Sequence, residues 1–365
     1  MIVMLTQCFP SQVGGIESLM SNLALGLSKK NQVIVLADSY NSIQDEKYDK
    51  KIEKNFSVRR TGGLKFFRRR NKIKELKSLI LAGDITCVIG DSWKSFELCI
   101  DLLNKNQIPS ICLTHGNDLL RKNNKNKIVN ILNKCRAIIS NSDYTLSLVK
   151  ELGVVTTSLK KIYPGASSFE DIKIKEIQSI KGYPIIFTLA RLEKRKGHIH
   201  VLKCIDKLRN EYNDLKYIIA GNGPELKNLK QLVAKYELNK HVIFLGNVDD
   251  SEKKFIFSIS DLMVMPTVDE KENYSIEGFG ISYIESALHG IPAIASNVGG
   301  TKEAVLHDKT GIIIDKIDQL EEALRDLLSN KDKRLNFGKE AKKRALNEFM
   351  WDKITNEYMS LIKSF

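Results

Sequence analysis

Short apolar runs alternate along the whole chain with longer segments in which apolar residues recur at helical spacing. In the first half these runs are MIVMLT, QVIVLA, CVIG, PSICLTHG, AIISNS and LKKIYPG. In the second half they are PIIFTLAR, KYIIAGNG, HVIFLGN, LMVMPT, PAIAS and GIIID. Strands that are apolar throughout are typical of parallel sheets covered by helices on both faces. The pattern therefore predicts an α/β protein with two doubly wound, Rossmann-like sheets.

One polar, strand-poor segment, residues 165–184, separates the two series of runs. Because the 365 residues also exceed what one core usually supports, we expect two domains. The first is predicted over residues 1–170 and the second over residues 171–345. Two such domains leave a cleft between the carboxyl ends of their sheets, which is where doubly wound folds bind ligands.

Composition narrows the class of protein. Hydrophobic residues make up 42% of the chain, and no apolar run approaches the ~18 residues of a membrane span. The start, MIVMLTQCFP, has no basic segment and is typical of a buried strand rather than a signal peptide. The six cysteines are isolated from one another, so we expect reduced, buried thiols. These features favour a cytoplasmic protein.

The net charge of +13 is concentrated in residues 1–170, which carry +11 of it. The densest basic segment, KFFRRRNKIKELKSLILAG, interleaves apolar and basic residues. A helix over residues 65–80 could contact anionic lipid headgroups on the inner face of the membrane, or it could pack its apolar face on the core and expose its charges to water. No nucleic-acid-binding motif accompanies the charge, so no nucleic-acid partner is expected.

Two glycine-rich turns follow predicted strands. Gly14 and Gly15 open a helix after the first strand, and the free N–H groups of such a turn favour an anion. Gly221, Asn222 and Gly223 repeat the arrangement in IIAGNGPE. Neither turn has the G-x-G-x-x-G spacing of dinucleotide-dependent enzymes, which makes a dehydrogenase less favoured.

Charged residues follow two strands of the second half. Arg191 and Lys196, five positions apart in TLARLEKRKGH, suit a diphosphate, although the segment could also be a solvated basic loop. Glu277 and Glu285 lie eight positions apart in SIEGFGISYIESALHG, around the point where a loop turns into a helix near Gly280. Such carboxylates could bind a sugar and the hydroxyls of a ribose, or they could merely favour the helix dipole.

The motifs GGIE, THG, ARLEKRKG, AGNGPE and EGFGISYIE, taken in this order, resemble those of the retaining, nucleotide-sugar-dependent glycosyltransferases of family 4, which have the GT-B fold. The resemblance covers nearly the whole chain. Its most specific mark is the pair of glutamates. The tail EFMWDKITNEYMSLIK also resembles the last helix of that family, which crosses back onto the N-terminal domain; here it corresponds to residues 346–365.

The resemblance implies roles in binding the donor. Arg191 and Lys196 match the residues that hold the donor diphosphate, and the turn of Gly14 and Gly15 matches the glycine loop near the phosphates. Glu277 matches the glutamate that contacts the transferred sugar near the reacting carbon. The donor-binding set that follows from the resemblance also contains Glu285 at the ribose, the turn Gly221, Asn222 and Gly223, and Val248, Phe279 and Gly280.

Fewer residues are implied on the acceptor side. His115 in LTHGND matches a histidine near the hydroxyls of the sugar, which places it with Glu277, Arg191 and Lys196 among the candidate catalytic residues. Asp118 is an acceptor candidate. Trp93, in the unassigned segment VIGDSWKS, could touch the acceptor or simply pack.

The resemblance implies a retaining glycosyltransferase that uses GDP-mannose or a UDP-hexose and a glycan or lipid-linked acceptor of surface polysaccharide assembly. The positive groups would stabilise the departing diphosphate, and the chain has no D-x-D motif, so no metal and no further cofactor are expected. Two alternatives stay open. One is another GT-B nucleotide-sugar enzyme, an epimerase or a sugar-phosphate synthase; the other is a non-catalytic nucleotide-sugar-binding subunit.

Overall fold

The computed structural model describes residues 1–120, 124–155, 158–177 and 180–365. Within these ranges the strands form two sheets, one of seven strands and one of six. The chain divides into two compact units: the first comprises Met1–Gly165 and Trp351–Phe365, and the second Ala166–Met350. The chain leaves and re-enters the first unit at one place, since a Cβ on Gly165 would lie 2.5 Å from Cδ2 of Trp351.

The sheet of the first unit is parallel throughout. Its strands are β1 (Ile2–Thr6), β2 (Val33–Asp38), β3 (Ser57–Thr61), β4 (Cys87–Gly90), β5 (Ser110–Thr114), β6 (Ala137–Ser140) and β7 (Leu159–Lys161). Their order across the sheet is β3-β2-β1-β4-β5-β6-β7. The order therefore reverses between β1 and β4, and the crevice outside the carboxyl ends of these two strands is where such sheets bind ligands.

Helices cover both faces of this sheet. They are α1 (Gly15–Ser28), α2 (Ser42–Ile52), α3 (Lys65–Ala82), α4 (Trp93–Phe96), α5 (Ile100–Lys105), α6 (Lys125–Lys134), α7 (Asp143–Glu151) and, from the end of the chain, α15 (Trp351–Lys363). Alternate residues of β1 pack in two different cores, one on each face of the sheet. Ile2 packs in the core that contains α1 and α15, and Val3 packs in the core that contains α3 and α4. Continuous apolar strands are explained by this burial on both faces.

The last helix is part of the first unit. Its buried residues Ile354, Tyr358 and Leu361 lie in the same core cluster as α1. The two helices approach closely, because a Cβ on Gly26 would lie 2.2 Å from Oγ1 of Thr355. The amphipathic pattern of the tail therefore finds its partner at the other end of the sequence.

The second unit repeats the architecture with strands β8 (Ile185–Leu189), β9 (Lys216–Ala220), β10 (Val242–Gly246), β11 (Leu262–Met265), β12 (Ala293–Ser296) and β13 (Gly311–Ile314). All neighbouring strands are parallel, in the order β10-β9-β8-β11-β12-β13. Its helices are α8 (His198–Leu208), α9 (Leu226–Lys235), α10 (Asp250–Ile259), α11 (Ile281–Leu288), α12 (Thr301–Ala304), α13 (Leu320–Ser329) and α14 (Lys331–Glu348). The order reverses between β8 and β11. The predicted fold class of two doubly wound parallel sheets is confirmed.

The six cysteines are free thiols, and all but Cys8 are buried. In the described ranges no helix combines the length and the apolar character that crossing a bilayer requires.

Candidate active site

A buried cluster of charges lies where the strand order of the second sheet reverses. Lys196 follows β8 and Glu277 follows β11, and the Lys196 ammonium contacts Oε2 of Glu277. Nη1 of Arg195 lies 2.6 Å from the same oxygen. The side chain of Glu277 is 10% exposed, that of Lys196 9% and that of Arg195 12%, so water screens these contacts only weakly. The geometry brings together one carboxylate and two cations.

The two cations fix the ionisation of Glu277. Burial alone would raise the pKa of its carboxyl group, but Lys196 and Arg195 outweigh that effect and hold the pKa below its ordinary value. Glu277 is therefore an anion at neutral pH. In this form it can stabilise positive charge nearby, but it has no proton to give.

Tight turns fix the positions of the residues in the charged cluster. Residues 194–196 form one turn of 3₁₀ helix, and Gly197 follows at φ 73°. A Cβ at Gly197 would lie 2.0 Å from the carbonyl oxygen of Pro266, the residue that follows β11. Since β8 and β11 are neighbours, this contact holds the Lys196 turn against the segment that leads to Glu277.

A second glycine supports Glu277 from the loop after β12. Gly299 has φ 63°, and a Cβ there would lie 2.0 Å from the carbonyl oxygen of Glu277. The next residue, Gly300, donates its N–H to that same oxygen at 3.0 Å. The backbone of Glu277 is therefore fixed independently of its side chain.

Arg191 is not part of this cluster. Its side chain is 64% exposed, and Nη1 lies 3.4 Å from Oε1 of Glu193. That carboxylate also accepts a hydrogen bond from Nε of Arg195 at 3.0 Å. Arg191 can therefore turn toward a ligand without leaving a buried position, whereas Arg195 is committed to its two carboxylate partners.

The turn after β9 lies against the segment that carries Arg191. A Cβ on Gly221 would lie 1.9 Å from the carbonyl oxygen of Ala190, and one on Gly223 would lie 2.5 Å from that of Leu192. Between them, the carbonyl oxygen of Asn222 accepts the N–H of Leu192 at 3.0 Å. These close backbone contacts explain why glycine stands at positions 221 and 223, whether or not a ligand binds there.

The second predicted glutamate has its own cation. Glu285 lies within α11, and its Oε1 is 3.2 Å from Nζ of Lys253 on α10, which also contacts Asp250 at 3.2 Å. Burial alone would lower the pKa of Lys253, but the two carboxylates outweigh it and raise the pKa. Glu277 and Glu285 therefore bind different cations.

The remaining candidate donor residues of this unit are Phe279, Gly280 and Val248. The Phe279 ring is buried and packs 5.7 Å from the ring of Phe349. Gly280 opens α11 at φ 95°, where a Cβ would lie 2.5 Å from the ring of Tyr283. Val248 is buried after β10. Of the three, Gly280 is the one directly at a helix start, where the N–H groups of α11 favour an anion.

In the first unit, one buried carboxylate ties two strand ends together. Oδ2 of Asp91, just after β4, accepts hydrogen bonds from Oγ1 of Thr6 at 2.9 Å and from N of Gln7 at 2.7 Å, both at the end of β1. Its Oδ1 accepts a hydrogen bond from Oγ of Ser95 at 2.6 Å. The sequence VIGDSWKS, which had no assignment, thus fixes the carboxyl edge of this sheet.

The predicted acceptor-side residues are brought together beside Asp91. Nε2 of the His115 ring is hydrogen-bonded to the carbonyl oxygen of Asp91 at 2.9 Å. The backbone N–H of His115 donates to Oδ1 of Asp118 at 3.0 Å. Nε1 of Trp93 donates to the carbonyl oxygen of Asp118 at 2.8 Å. Because the indole is only 3% exposed, Trp93 packs and positions Asp118.

Asp118 carries an unusual carboxylate. Its Oδ2 is buried, and within the described ranges it has no hydrogen-bond partner. Burial raises the pKa of Asp118, although His115 and Lys94 oppose the rise. A carboxyl group in this setting favours its protonated form more than an exposed aspartate does.

The predicted anion site at the start of α1 contains a carboxylate of the chain itself. Gly14 is extended, and a Cβ there would lie 2.1 Å from Oε2 of Glu17. Gly15 is the first residue of α1. The carboxylate of Glu17 therefore lies beside Gly14 at this helix start, where its negative charge would oppose the binding of a phosphate.

Sequence reasoning missed Arg195, Asp91, Lys253 and His198. Arg195 and Lys253 lie in charged runs, where a sequence does not tell which side chain turns inward. His198 is buried beside Lys196, and burial lowers its pKa to about 3, so it stays neutral. Asp91 did carry a signal, because an acidic residue directly after an apolar strand falls on the ligand-binding edge of a parallel sheet.

Comparison with known families matches both units. A model described as Glycosyltransferase Family 4 matches residues 13–167, and one described as Glycosyl transferases group 1 matches residues 169–344. The two matches meet close to the division between the units.

Curated relatives include mannosyltransferases. The GDP-mannose-dependent alpha-(1-6)-phosphatidylinositol monomannoside mannosyltransferase of Mycolicibacterium smegmatis is 24% identical over 364 residues, covering 96% of this chain and 95% of that enzyme. The enzyme of the same name from Mycobacterium tuberculosis is 27% identical over 231 residues, covering 61% of this chain. That second match spans 60% of the relative's length.

Solved structures show the same fold. Anabaena HepE in complex with UDP and glucose superposes with a TM-score of 0.81 at 17% identity, covering 100% of both chains. Sucrose-phosphate synthase from Thermosynechococcus elongatus superposes with a TM-score of 0.80 at 16% identity, covering 100% of this chain and 98% of that one. At these identities the likeness shows the GT-B fold alone.

A glycine exchange tests the support of Glu277. Gly299→Ala should lower the free energy of unfolding by about 2 to 5 kcal/mol, because backbone strain adds to overpacking against the Glu277 carbonyl group. Gly246→Ala is the matched control: its φ is 67°, but a Cβ there would meet nothing within 4 Å. It should lose only about 1 to 2 kcal/mol. Equal losses in urea unfolding would contradict the packing argument.

A second exchange tests the buried carboxyl group of Asp118. Since folding raises its pKa, the stability that the protonated group supplies is present below pH ~3.9 and is lost as pH rises through the higher folded pKa. Asp118→Asn should therefore raise the thermal midpoint at pH 7, and the gain should shrink toward pH ~4. The exposed Asp101→Asn is the control. A gain that is independent of pH would argue against a raised pKa at Asp118.

Proposed function

The chain belongs to the glycosyltransferases of family 4, and on that premise we propose that it transfers one sugar from a nucleotide-sugar donor, with retention of the anomeric configuration, to a glycan or lipid-linked acceptor of surface polysaccharide assembly. The observation that supports this most is the buried cluster of Glu277, Lys196 and Arg195 at the switch point of the second sheet. A nucleoside diphosphate needs cations there, and a sugar that becomes positively charged needs a fixed carboxylate.

The leaving group determines what the cations do. A departing nucleoside diphosphate gains negative charge, and Lys196 is already desolvated and in place to receive it. Arg191 is exposed and can close on the phosphates as a planar fork. We propose that these two side chains neutralise the leaving group without a metal ion. The nucleotide sugar is then the only co-substrate, with no separate cofactor.

Glu277 acts as a charge rather than as an acid. It would lie beside the oxocarbenium-like sugar, and its lowered pKa keeps it ionised there. The acceptor hydroxyl attacks the anomeric carbon on the face from which the diphosphate leaves, and its proton passes to a phosphate oxygen. The new glycosidic bond forms on the same face of the sugar on which the bond to the diphosphate breaks, so the configuration is retained.

Arg195 positions Glu277 during this exchange of partners. In the structure Glu277 contacts both Lys196 and Arg195. When a diphosphate binds Lys196, that contact weakens, and Arg195 keeps the carboxylate paired and in place. Without Arg195, Glu277 would be a buried carboxylate whose only cation had turned to the phosphate, which is unfavourable.

For the donor we propose GDP-mannose or a UDP-hexose. The Mycolicibacterium smegmatis relative is named as GDP-mannose-dependent, and the structure of HepE contains UDP and glucose. Lipid-linked acceptors are supported by the phosphatidylinositol mannoside in the relative's name. His115 and Asp118, close together beside Asp91, are the side chains proposed to meet the sugar and the acceptor.

We further propose that the protein is cytoplasmic and meets the membrane peripherally through residues 65–80. Their inner face is occupied: Arg68 lies 3.3 Å from Asp38, and Arg69 lies 2.8 Å from Glu97. The outer face shows exposed Phe66 and Phe67, with the guanidinium of Arg70 4.0 Å from the ring centroid of Phe66. Aromatic rings flanked by cations suit an anionic lipid surface.

Donor binding is the first test. We expect one nucleotide sugar among GDP-mannose, UDP-glucose, UDP-galactose and UDP-N-acetylglucosamine to raise the thermal midpoint in the presence of EDTA. At 100 times its Kd it adds roughly 2.7 kcal/mol of stability.

Release of nucleoside diphosphate from that donor is then measured in three variants. Glu277→Gln should lose about 100-fold or more in turnover with binding nearly intact, Lys196→Ala should lose diphosphate binding, and Arg195→Gln should lose turnover more than binding.

Lys194→Gln, an exposed neighbour in the same turn, is the control and should change neither measurement. Stabilisation by NAD alone, or by no nucleotide, would overturn the proposal. A UDP-sugar interconverted without any acceptor would instead indicate an epimerase. A bound donor that never reacts would indicate a non-catalytic subunit.

Vesicle binding tests the outer face of α3. The double variant Phe66→Ser, Phe67→Ser should bind vesicles of phosphatidylcholine and phosphatidylglycerol roughly tenfold more weakly than the unchanged chain, because two apolar rings no longer enter the interface. Leu335→Ser removes an equally exposed apolar side chain from α14 and should bind as before. Sedimentation with vesicles measures both. Unchanged binding by the double variant would leave α3 as a solvated helix.

A further inference from the structure

An acidic loop lies between β11 and Glu277, at the ligand edge of the second sheet. It comprises residues 268–275 and carries three carboxylates, Asp269, Glu270 and Glu272, against one lysine, Lys271. The N–H of Ser275 donates to the carbonyl oxygen of Glu270 at 3.1 Å, which closes the loop into a tight bend with an exposed tip, residues 271–274. Segments that follow the carboxyl end of a parallel strand are where doubly wound folds meet their ligands.

The loop is attached to the charged cluster at both ends. At its start, the N–H of Val268 donates to the carbonyl oxygen of Arg195 at 2.8 Å. After its end, Ile276 is buried, and the carbonyl oxygen of Glu277 accepts the N–H of Gly300 at 3.0 Å. The backbone therefore holds the acidic loop next to the cluster.

Tyr274, in the tip of the loop, has a strained backbone. Its φ of 56° and ψ of 33° place it in the left-handed region, where the Cβ of a residue other than glycine crowds the neighbouring carbonyl oxygen. The strain is not offset by packing, because Tyr274 is 44% exposed. Strained residues of this kind are concentrated at sites that bind ligands or catalyse reactions.

Among the described residues of the second unit, Tyr274 and Tyr183 are the exposed aromatic side chains. Tyr183 precedes β8, so it lies at the opposite edge of the sheet, and its hydroxyl group accepts a hydrogen bond from Nη2 of Arg334 at 2.7 Å. The ring of Tyr274 has no hydrogen-bond or aromatic partner within the described ranges. Its flat apolar face is therefore available to a ligand at the edge where ligands bind.

We propose that the acidic loop binds an uncharged sugar ring of the acceptor. The ring of Tyr274 stacks on the C–H groups of that sugar, and its hydroxyl groups donate to the carboxylates of Glu270 and Glu272, which have no ion-pair partner among the described residues. The excess of carboxylates disfavours a phosphate or a uronic acid at this place.

The position of Tyr274 suits the sugar that receives the transferred one. Tyr274 lies three residues before Glu277, so their Cα atoms are at most about 11 Å apart. In the proposed function Glu277 lies beside the transferred sugar, and the neighbouring sugar of the product is the receiving one. The inference thus rests on the proposed function, because it names the chemistry of that acceptor. A soluble glycan and the sugar headgroup of a lipid share this chemistry.

Saturation-transfer NMR on the full chain tests the loop with three methyl glycosides. They are the α-D-mannoside, the α-D-glucoside and, as the charged comparison, the α-D-glucuronide. We expect at least one neutral glycoside to bind, and to bind more tightly than the glucuronide, which the carboxylates repel. No binding by either neutral glycoside, or a glucuronide that binds as tightly, would overturn the proposal.

Exchanges at Tyr274 separate the ring from the backbone. Tyr274→Asn removes the ring but keeps a residue that tolerates the left-handed conformation, so it should bind the neutral glycoside about tenfold more weakly. Tyr274→Phe keeps the ring, and Asn273→Ala changes an exposed neighbour, so both should bind as the unchanged chain does. Equal binding by Tyr274→Asn and Tyr274→Phe would overturn the proposal.

Thermal unfolding tests whether the ring of Tyr274 merely supports the fold. Asparagine occupies the left-handed region with less strain than tyrosine, so Tyr274→Asn should keep or raise the thermal midpoint. A midpoint that falls together with glycoside binding would make the ring a structural element and overturn the proposal.

Glu277→Gln separates the loop from the sugar site of the donor, with circular dichroism as the check on folding. Binding of the glycoside that survives Glu277→Gln and falls in Tyr274→Asn supports the acidic loop, whatever the outcome with nucleotide sugars. Loss in Glu277→Gln alone would locate the glycoside at the donor site and overturn the proposal.

Vesicles distinguish the two sources of the sugar. Sedimentation compares phosphatidylcholine vesicles that contain glucosyl diacylglycerol with vesicles of phosphatidylcholine alone. A lipid-linked acceptor predicts binding that requires the glycolipid, weakens in Tyr274→Asn and is reduced by excess methyl glycoside. A soluble acceptor predicts that the methyl glycoside binds in NMR and that the glycolipid adds nothing to vesicle binding.

Discussion

The second unit depends on a carboxylate that could not be buried alone. Removing Glu277 or Lys196 from water is unfavourable for each by itself, and their contact offsets both penalties. The offset holds only if the turn after β8 and the loop after β11 keep their relative positions. Gly197 and Gly299 provide this, because each sits where any larger residue would strike a backbone carbonyl group. The contact between Glu277 and Lys196 therefore depends on the two glycines, because the close backbone contacts that they allow hold the two charges together.

The first unit uses a buried carboxylate differently. Asp91 is satisfied by hydrogen bonds from Thr6, Gln7 and Ser95, so it has little left to offer a ligand. Its function is to join the ends of β1 and β4. His115 then bonds to the backbone of Asp91 and is fixed by the same joint. Where the order of the second sheet reverses, the carboxylate of Glu277 contacts two cations. Where the order of the first sheet reverses, the carboxylate of Asp91 binds the end of β1, and its backbone binds His115.

The sequence predicted the architecture well because the physics of a parallel sheet is local and repetitive. Strands buried on both faces must be apolar throughout, and that pattern is visible without any knowledge of packing. The side chains of the candidate site were harder to predict from the sequence. In ARLEKRKG, four cations lie within six residues, and only the 3₁₀ turn at residues 194–196 decides that Arg195 and Lys196 point inward while Lys194 does not. The partner of Lys196 lies about eighty residues away, a separation at which no periodicity signals contact.

The basic helix α3 shows how one charge run can serve two purposes. Its inner face places Arg68 and Lys72 on Asp38 and Arg69 on Glu97, where low solvent access keeps the interactions strong even in salt. Its outer face carries Phe66 and Arg70 in water, where salt screens the charge and only the rings add a contribution that salt does not weaken. The excess charge of the first half is therefore not a single property. The inner cations act through hydrogen-bond geometry at the ligand edge of the sheet, and the outer ones act at a distance through the field around the protein.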